Sequence, residues 1–492
     1  MTKVDSLTNN FFTRFVLSLV LLSAFVLEWS HAEEHRVTPE TDLGPLCEKV
    51  VAGDSIVLAN GTWANAELVF KDLEGTAESP ITITAESAGE VSLVGKSEFR
   101  VSGQHVVISG LVFKDCVNVD NVLELRTEAG DSARHCHHCR VTECSFEQNA
   151  EVETAKETTW LAIYGSNNRV DHCYFGGKGS RGATIVVWVA EEPEKHQIDH
   201  NHFGPRPDLG QNGGETIRIG SSKDSEFVCQ TIIESNYFHQ CNGEAELISN
   251  KSCENVYRHN VFDECGGTLT LRHGHRCVVD GNVFLGNEVS KTGGVRIIGK
   301  GHRVTNNYFE GLRGDKERAA ISLMNGIPNG PLNGFAPIED ALVAHNTLVD
   351  CKVTMEFGVG AGEKQSVAPA NCRFINNVYS PGKWGLYRVH AEPTGFLWEG
   401  NKLQVGREYD LDLVKVDRAA LRLKRADDGL MRPTELSELQ SATSVTKEVA
   451  NDIDGQPRGE TAIAGCDEPS TPLRKLVSPA DTGPQWRRAA AE

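Results

Sequence analysis

Glu244 and Glu246 are separated by a single residue, Lys251 follows in the same stretch of chain, and Arg272 comes in the stretch after it. On a strand, residues two apart share a face, so both carboxylates would point one way while Ala245 and Leu247 point the other. Paired carboxylates aimed at solvent invite a cation. A lysine and an arginine beside that cation would supply what is needed to take a proton from a carbon next to a carboxylate and to help a leaving oxygen depart. Those residue types in that order read as a lyase site.

Such a group needs a scaffold that brings separate stretches of chain together, and a repeat supplies one. Asn-x-Phe or a close relative recurs at Asn201/Phe203, Asn236/Phe238, Asn260/Phe262, Asn282/Phe284, Asn307/Phe309, Asn346/Leu348, Asn377/Tyr379 and Asn401/Leu403, at steps mostly of 22 to 35 residues with 39 the longest. An irregular period filled with Val, Ile, Gly and Asn, and almost without helical periodicity, points to stacked short strands rather than a helical solenoid. The expected fold is all-β, a right-handed parallel β-helix. In it the apolar residue of each mark stacks inside, and the asparagine amides bond from turn to turn at a bend. Runs at 81–85, 106–108, 217–219 and 295–298 read as its strands. Within residues 40–53, Leu43, Leu46 and Val50 fall on one helical face, a short N-terminal cap that would shield the first sheet edge.

With Ile217 and Ile219 inward, Arg218 faces out, and the same alternation turns Arg272 and Arg296 outward. Near-equal steps would then run one outward column through Arg218, Glu246, Arg272 and Arg296, a turn of about 4.8 Å apiece. A salt-bridge ladder on a solvent face would read the same way. Cys229, Cys241, Cys253, Cys265 and Cys277 recur at equal steps, so alternate members should stack as two inward columns of thiols. Fourteen cysteines in a secreted chain also permit disulfides, but stacked turns supply a large core, and mostly free buried thiols are the favoured reading.

The 492 residues, 39% of them hydrophobic, suffice for one long solenoid domain. Residues 1–32 read as a signal peptide: Lys3 and Arg14 precede an apolar run from Phe15 to Leu27, and Ser30-His31-Ala32 offers a cleavage site. That run is short for a membrane span, and no other stretch is apolar enough for one. The expected organisation is therefore a secreted or periplasmic protein with the repeat in residues 33–405. Residues 406–492, with Pro457, Pro469, Pro472, Pro479 and Pro484, form an extension packing on the repeat or trailing from it. A net charge of −19, to which the signal segment contributes nothing, argues against nucleic acid as partner. An acidic polysaccharide would be repelled at long range, so cations must gather in one groove, with salt screening the rest within about 10 Å at 0.1 M.

Three stretches carry a family resemblance: Asn212-Gly213-Gly214-Glu215-Thr216-Ile217-Arg218-Ile219-Gly220, Glu244 to Ser252, and Leu271-Arg272-His273-Gly274. They resemble the polysaccharide lyase family that contains chondroitinase B and a group of alginate lyases, family 6, with a looser match from about residue 40 to about 405. The resemblance implies a parallel β-helix and a Ca²⁺ held by Asn212, Glu244 and Glu246, with Lys251 as Brønsted base and Arg272 as acid. Oxygen ligands of this kind suit a hard cation better than zinc. The ion would neutralise the substrate carboxylate beside the C5 proton that is removed. Guanidinium rarely gives up its proton, so Arg272 could instead stabilise the departing oxygen while water or His273 supplies the proton. His273, Arg218 and Arg296 are the expected substrate-binding residues. Asn-Gly-Gly-Glu is similar to the alginate-cleaving members, and chondroitinase B lacks an acid at Glu215, so alginate is favoured over dermatan or chondroitin sulfate. Glu215 is either a fourth metal ligand, direct or through water, or a surface partner for Arg218.

Other features compete. Cys136-His137-His138-Cys139 has the spacing of half a zinc site, but no second pair lies nearby and a loop with incidental cysteines is the plainer reading. Asp452-Ile453-Asp454-Gly455 lacks the rest of a calcium loop and reads as a turn. A non-catalytic carbohydrate-binding β-helix would share the repeat but has no need of Lys251 and Arg272. A glycoside hydrolase would use Glu244 and Glu246 as its carboxyl pair.

Overall fold

The computed structural model describes residues 32–149, 156–406, 408–409, 411–435, 437–441, 448–459, 461–468 and 473–489. The expected signal peptide lies outside them, save for Ala32. The Val- and Ile-rich runs form short strands that pair in parallel from turn to turn, giving three sheets of 14, 13 and 14 strands. Each full turn lays one strand in each sheet, the architecture of a parallel β-helix.

The repeat marks do what their chemistry suggests. Phe203, Phe238, Phe262, Phe284 and Phe309 stack in the interior with successive ring centroids 4.6 to 4.8 Å apart. Each asparagine of the series is buried, and its side-chain oxygen accepts from the backbone N–H of its counterpart one turn earlier, unbroken from Asn201 through Asn236, Asn260, Asn282, Asn307, Asn346 and Asn377 to Asn401. The residue before each asparagine is left-handed: His200, Ser235, His259, Gly281, Asn306, His345, Asn376 and Gly400 all have φ between 52° and 62°, the corner that turns the chain from one sheet to the next. Six of the eight are not glycine, and the strain of that conformation, roughly 1–2 kcal/mol each, is offset by the amide ladder beside it.

A five-residue helix, Leu43–Cys47, begins the solenoid with Asp42 accepting from the Gly44 N–H. Leu43, Leu46, Cys47 and Val50 rest on the main core, as a cap should. All fourteen cysteines are free thiols. Only one of the two expected thiol columns forms: Cys241 lies level with Cys265 in the register Phe238↔Phe262, whereas Cys253 faces Val228, and the register Val256↔Val278 sets Cys277 level with Asn255. The turn from Val256 to Val278 is shorter than two cysteine steps, so the even spacing drifts out of register. The Cys136–Cys139 segment also finds its partners within the solenoid. Cys136 Sγ donates to the Val101 carbonyl at 3.3 Å, and His137 Nδ1 lies 2.9 Å from Ser166 Oγ.

Beyond the last turns the chain folds back over the outside of the solenoid. Leu430, Ile453 and Cys466 pack on Val261, Val283, Tyr308 and Val349. Asp452 makes the expected turn, its Oδ1 accepting from the N–H groups of Asp454 and Gln456. Arg432 lies between Asp428, Asp454 and Asp467, so a guanidinium already balances that acidic cluster.

Candidate active site

The site lies on the 13-stranded sheet, where Ile217–Ile219, Glu246–Lys251, Thr268–His273, Val295–Ile297, Ile321–Met324 and Val353–Val359 follow one another. Lys251 pairs with His273 across neighbouring strands, which brings Arg272 to the adjacent turn. The expected outward column is corrected by this register. Arg218 aligns with Ser249, Ser249 with Thr270, and Thr270 with Arg296. Near-equal steps fail because the turns differ in length, 31 residues from Arg218 to Ser249, 21 from Ser249 to Thr270 and 26 from Thr270 to Arg296, so Glu246 lies before the column and Arg272 beyond it. Glu244 also precedes the strand instead of alternating within it. The charges still meet, since Glu246 Oε1 lies 3.5 Å from Arg272 Nε and 3.4 Å from the Arg296 guanidinium, and its other oxygen accepts from Ser249 Oγ at 2.6 Å.

These side chains open on a cavity of about 900 Å³. Asn212, Glu215, Glu244 and Glu246 line it together with Lys251, Arg272 and Arg296. Lys316, Glu317, Phe335 and His390, which sequence reasoning missed, complete its polar and aromatic wall. His273 and Arg218 stand outside that lining. His273 is buried behind Arg272, with Nδ1 3.3 Å from the guanidinium and Nε2 3.2 Å from Ser222 Oγ. Arg218 lies over the Trp188 ring at 5.4 Å, and among the described residues no ion pair joins it to Glu215.

Burial, then the neighbouring Glu215 and Glu246 carboxylates, pushes the Glu244 carboxyl up to about 8. Burial, aided by Arg272 and Lys251, brings His273 down to about 3, so its ring is neutral at ordinary pH. Burial also lowers the Arg272 and Arg296 guanidiniums from their ordinary value. The donor set therefore suits a hard cation: all-oxygen ligands, crowded, with one carboxyl held protonated for want of countercharge. Among the described residues the group of three acidic side chains whose ligand atoms all lie within 4.8 Å of one another is Asp452, Asp454 and Asp467, and Glu246 in the groove is paired with its arginines.

The loop carrying Asn212 and Glu215 is held by Arg206, which is 3% exposed. Its guanidinium donates to the carbonyls of Glu215 at 2.6 Å, Gly182 at 2.9 Å and Ser180 at 3.0 Å. Gly214 crosses Gly243 of the next turn so closely that a Cβ on either would strike the other's backbone. That contact explains why Asn212-Gly213-Gly214 and Asn242-Gly243 both carry glycine there.

A lysine, a guanidinium and clustered carboxylates in one groove along a parallel β-helix point to the class of β-helical polysaccharide lyases. The family described as Chondroitinase B matches residues 37–376, and the chain belongs to it, that is, to polysaccharide lyase family 6. Among solved structures it is similar to the PL6 family alginate lyase AlyGC, with 34% identity and a TM-score of 0.81 over 92% of this chain and 58% of that one. The chain thus spans little more than half the length of AlyGC. It is also similar to a mannuronic acid specific polysaccharide family 6 lyase from human gut microbiota, with 30% identity and a TM-score of 0.65 over 77% of this chain and 86% of that one. No curated protein sequence matches it. No helix among the described residues is long and apolar enough to cross a membrane.

Proposed function

We propose that this protein cleaves alginate by β-elimination, leaving a 4,5-unsaturated uronate at the new end. The observation that carries the reading is the placement of Lys251 and Arg272 on adjacent turns, facing one cavity with Glu215, Glu244 and Glu246. Lys251, with its proton shed, takes the C5 proton through Nζ. The electron pair left on C5 forms the C4=C5 bond as the C4–O bond breaks, and the departing oxygen is protonated. Arg272 stabilises the charge on that oxygen, and water supplies the proton, since the neutral His273 is buried and guanidinium holds its protons. Asn212, Glu244, Glu246 and Glu215 would hold a Ca²⁺, which when bound neutralises the substrate carboxylate and so acidifies the C5 proton. Charge balance supports a bound cation. Lys251, Arg272, Arg296 and Lys316 face Glu215, Glu244, Glu246 and Glu317 in the cavity, so once Glu244 gives up its proton to serve as a ligand these side chains alone offer a polyanion no net attraction.

The alginate assignment rests on Glu215 and on the alginate-lyase relatives, one of which is described as mannuronic acid specific. The apolar N-terminal run supports secretion as part of the same reading. The test is ultraviolet absorbance over time on poly-mannuronate, poly-guluronate and dermatan sulfate, each with calcium and with chelator. A calcium-dependent rise on an alginate block is expected. A rise on dermatan alone moves the assignment to the chondroitinase branch, and saturated ends without absorbance would make the protein a hydrolase.

A further inference from the structure

Arg272 comes from the Thr268–His273 strand, but its guanidinium is held by a loop from much further along the chain. Nη1 donates to the Gly334 carbonyl at 3.0 Å, Nη2 donates to the Asn333 carbonyl at 3.2 Å, and the Phe335 ring packs on the same group with its centroid 4.2 Å from Cζ. The ring also reaches Arg296, at 5.5 Å, and it packs on a small apolar cluster of Ile298, Met324 and Val359. The loop is built to stay in place. The Gly326 and Val367 backbones exchange N–H and carbonyl bonds of 2.7 and 3.0 Å, Asn325 donates to the Gln365 carbonyl at 2.8 Å, and Ile327 N–H closes the base of the loop on the Phe335 carbonyl at 2.7 Å. A further bond, from Gly334 N–H to the Pro331 carbonyl at 2.7 Å, fixes the peptide whose oxygen meets Arg272.

Two carbonyls and an aromatic face on one guanidinium leave it little freedom to rotate, while Glu246 at 3.5 Å restrains its Nε edge. We infer that the loop of residues 325–337 is a clamp that sets the aim of Arg272 at the leaving oxygen, with Phe335 as its positioning residue. The inference rests on the elimination proposed above. Phe335 acts through Arg272: it holds the cation against the carbonyls, and reaction geometry is sensitive to displacements of an ångström.

The test compares initial rates of wild type, Phe335→Leu, Phe335→Ala and Phe335→Tyr on the alginate block the wild type cleaves. The clamp predicts a fall in kcat on the order of ten- to a hundredfold for Phe335→Leu and Phe335→Ala. KM should stay within about twofold, and Phe335→Tyr, which restores the ring, should return kcat to near wild type. In an Arg272→Lys background, Phe335→Leu should have little further effect on kcat, because the group it positions is gone. A raised KM with unchanged kcat would make Phe335 a sugar contact and overturn the inference, as would equal losses in both backgrounds. Phe335→Leu keeps the apolar bulk, so it remains informative if Phe335→Ala fails to fold. Wild-type protein inactive on every uronate would reject the lyase reading itself and remove the reaction the clamp serves. An active wild type with a normal Phe335→Leu variant would reject the clamp alone.

Discussion

At the scale of single residues the site contains two kinds of charge. Lys251 and Arg272 face the cavity as the cations of the proposed elimination, and the carboxylates of Glu215, Glu244 and Glu246 are crowded beyond what their own partners balance. Lys251→Ala should therefore abolish the rise in absorbance while leaving oligosaccharide binding, followed by calorimetry, within a few-fold of wild type. The carboxylates make a separate, activity-free prediction. In chelator the folded chain holds the Glu244 proton up to about 8, whereas its ordinary value is 4.5. Protonation thus contributes stability that is fully present below pH 4.5 and is lost as pH rises through about 8. Glu244→Gln removes that loss, so in chelator its melting temperature should exceed that of wild type by a margin that widens from pH 4.5 to pH 8.5. Calcium should reverse the order, raising the wild-type melting temperature at pH 8 and raising that of Glu244→Gln much less. A variant curve parallel to wild type across pH, with and without calcium, would disconnect Glu244 from the metal.

At the scale of elements the asparagine ladder is the device that keeps the turns in register. Asn282 Oδ1 accepts from the Asn260 backbone, and its amide donates to the Tyr257 carbonyl and to Asn307 Oδ1. Truncation to alanine would leave these buried groups without partners, and Asn282→Ala should cost about 3 kcal/mol in urea unfolding, against near-neutral effects at exposed loop asparagines. This ladder is legible in the sequence because its spacing follows from the turn itself, and so is the placing of Lys251 and Arg272 on adjacent turns, since the turn between them carries no inserted loop. The column through Arg218, Glu246, Arg272 and Arg296 is not, because successive turns on this sheet differ in length and the amino-acid types do not mark where each one gains or loses residues. His273 is expected at the substrate because it adjoins Arg272, but at the strand's end it turns inward to Ser222. Phe335 escapes notice for another reason. It lies in the longest step of the repeat, between Asn307 and Asn346, whose extra length signals an insertion without saying where the insertion folds.

At the scale of the whole molecule, a solenoid in which each turn contacts only its neighbours should unfold piecemeal, its stability a sum of local terms. The C-terminal segment changes that expectation. After packing on the later turns around Thr347 and Tyr308, it runs back along the outside to the early ones. There Gly483 donates to the His200 carbonyl, Gln485 N–H donates to the Glu143 carboxylate at 2.7 Å, and Trp486 Nε1 donates to the Glu143 carbonyl at 2.8 Å. The Trp486 ring covers Gly89, where a Cβ would collide with it, and Arg487 lies over Tyr174 at 3.7 Å. One strap thus ties turns that share no strand pairing. Chain lacking residues 473–492 should keep the cleavage proposed above at 25 °C, because these contacts lie away from the groove, but should melt at a lower temperature and over a broader range. Hydrogen exchange should locate the loss, with protection of the turns around Glu143 and Gly89 falling first while that of the Glu246–Lys251 strand persists. A truncated chain that melts as sharply as the full one would mean that the solenoid is cooperative without its strap.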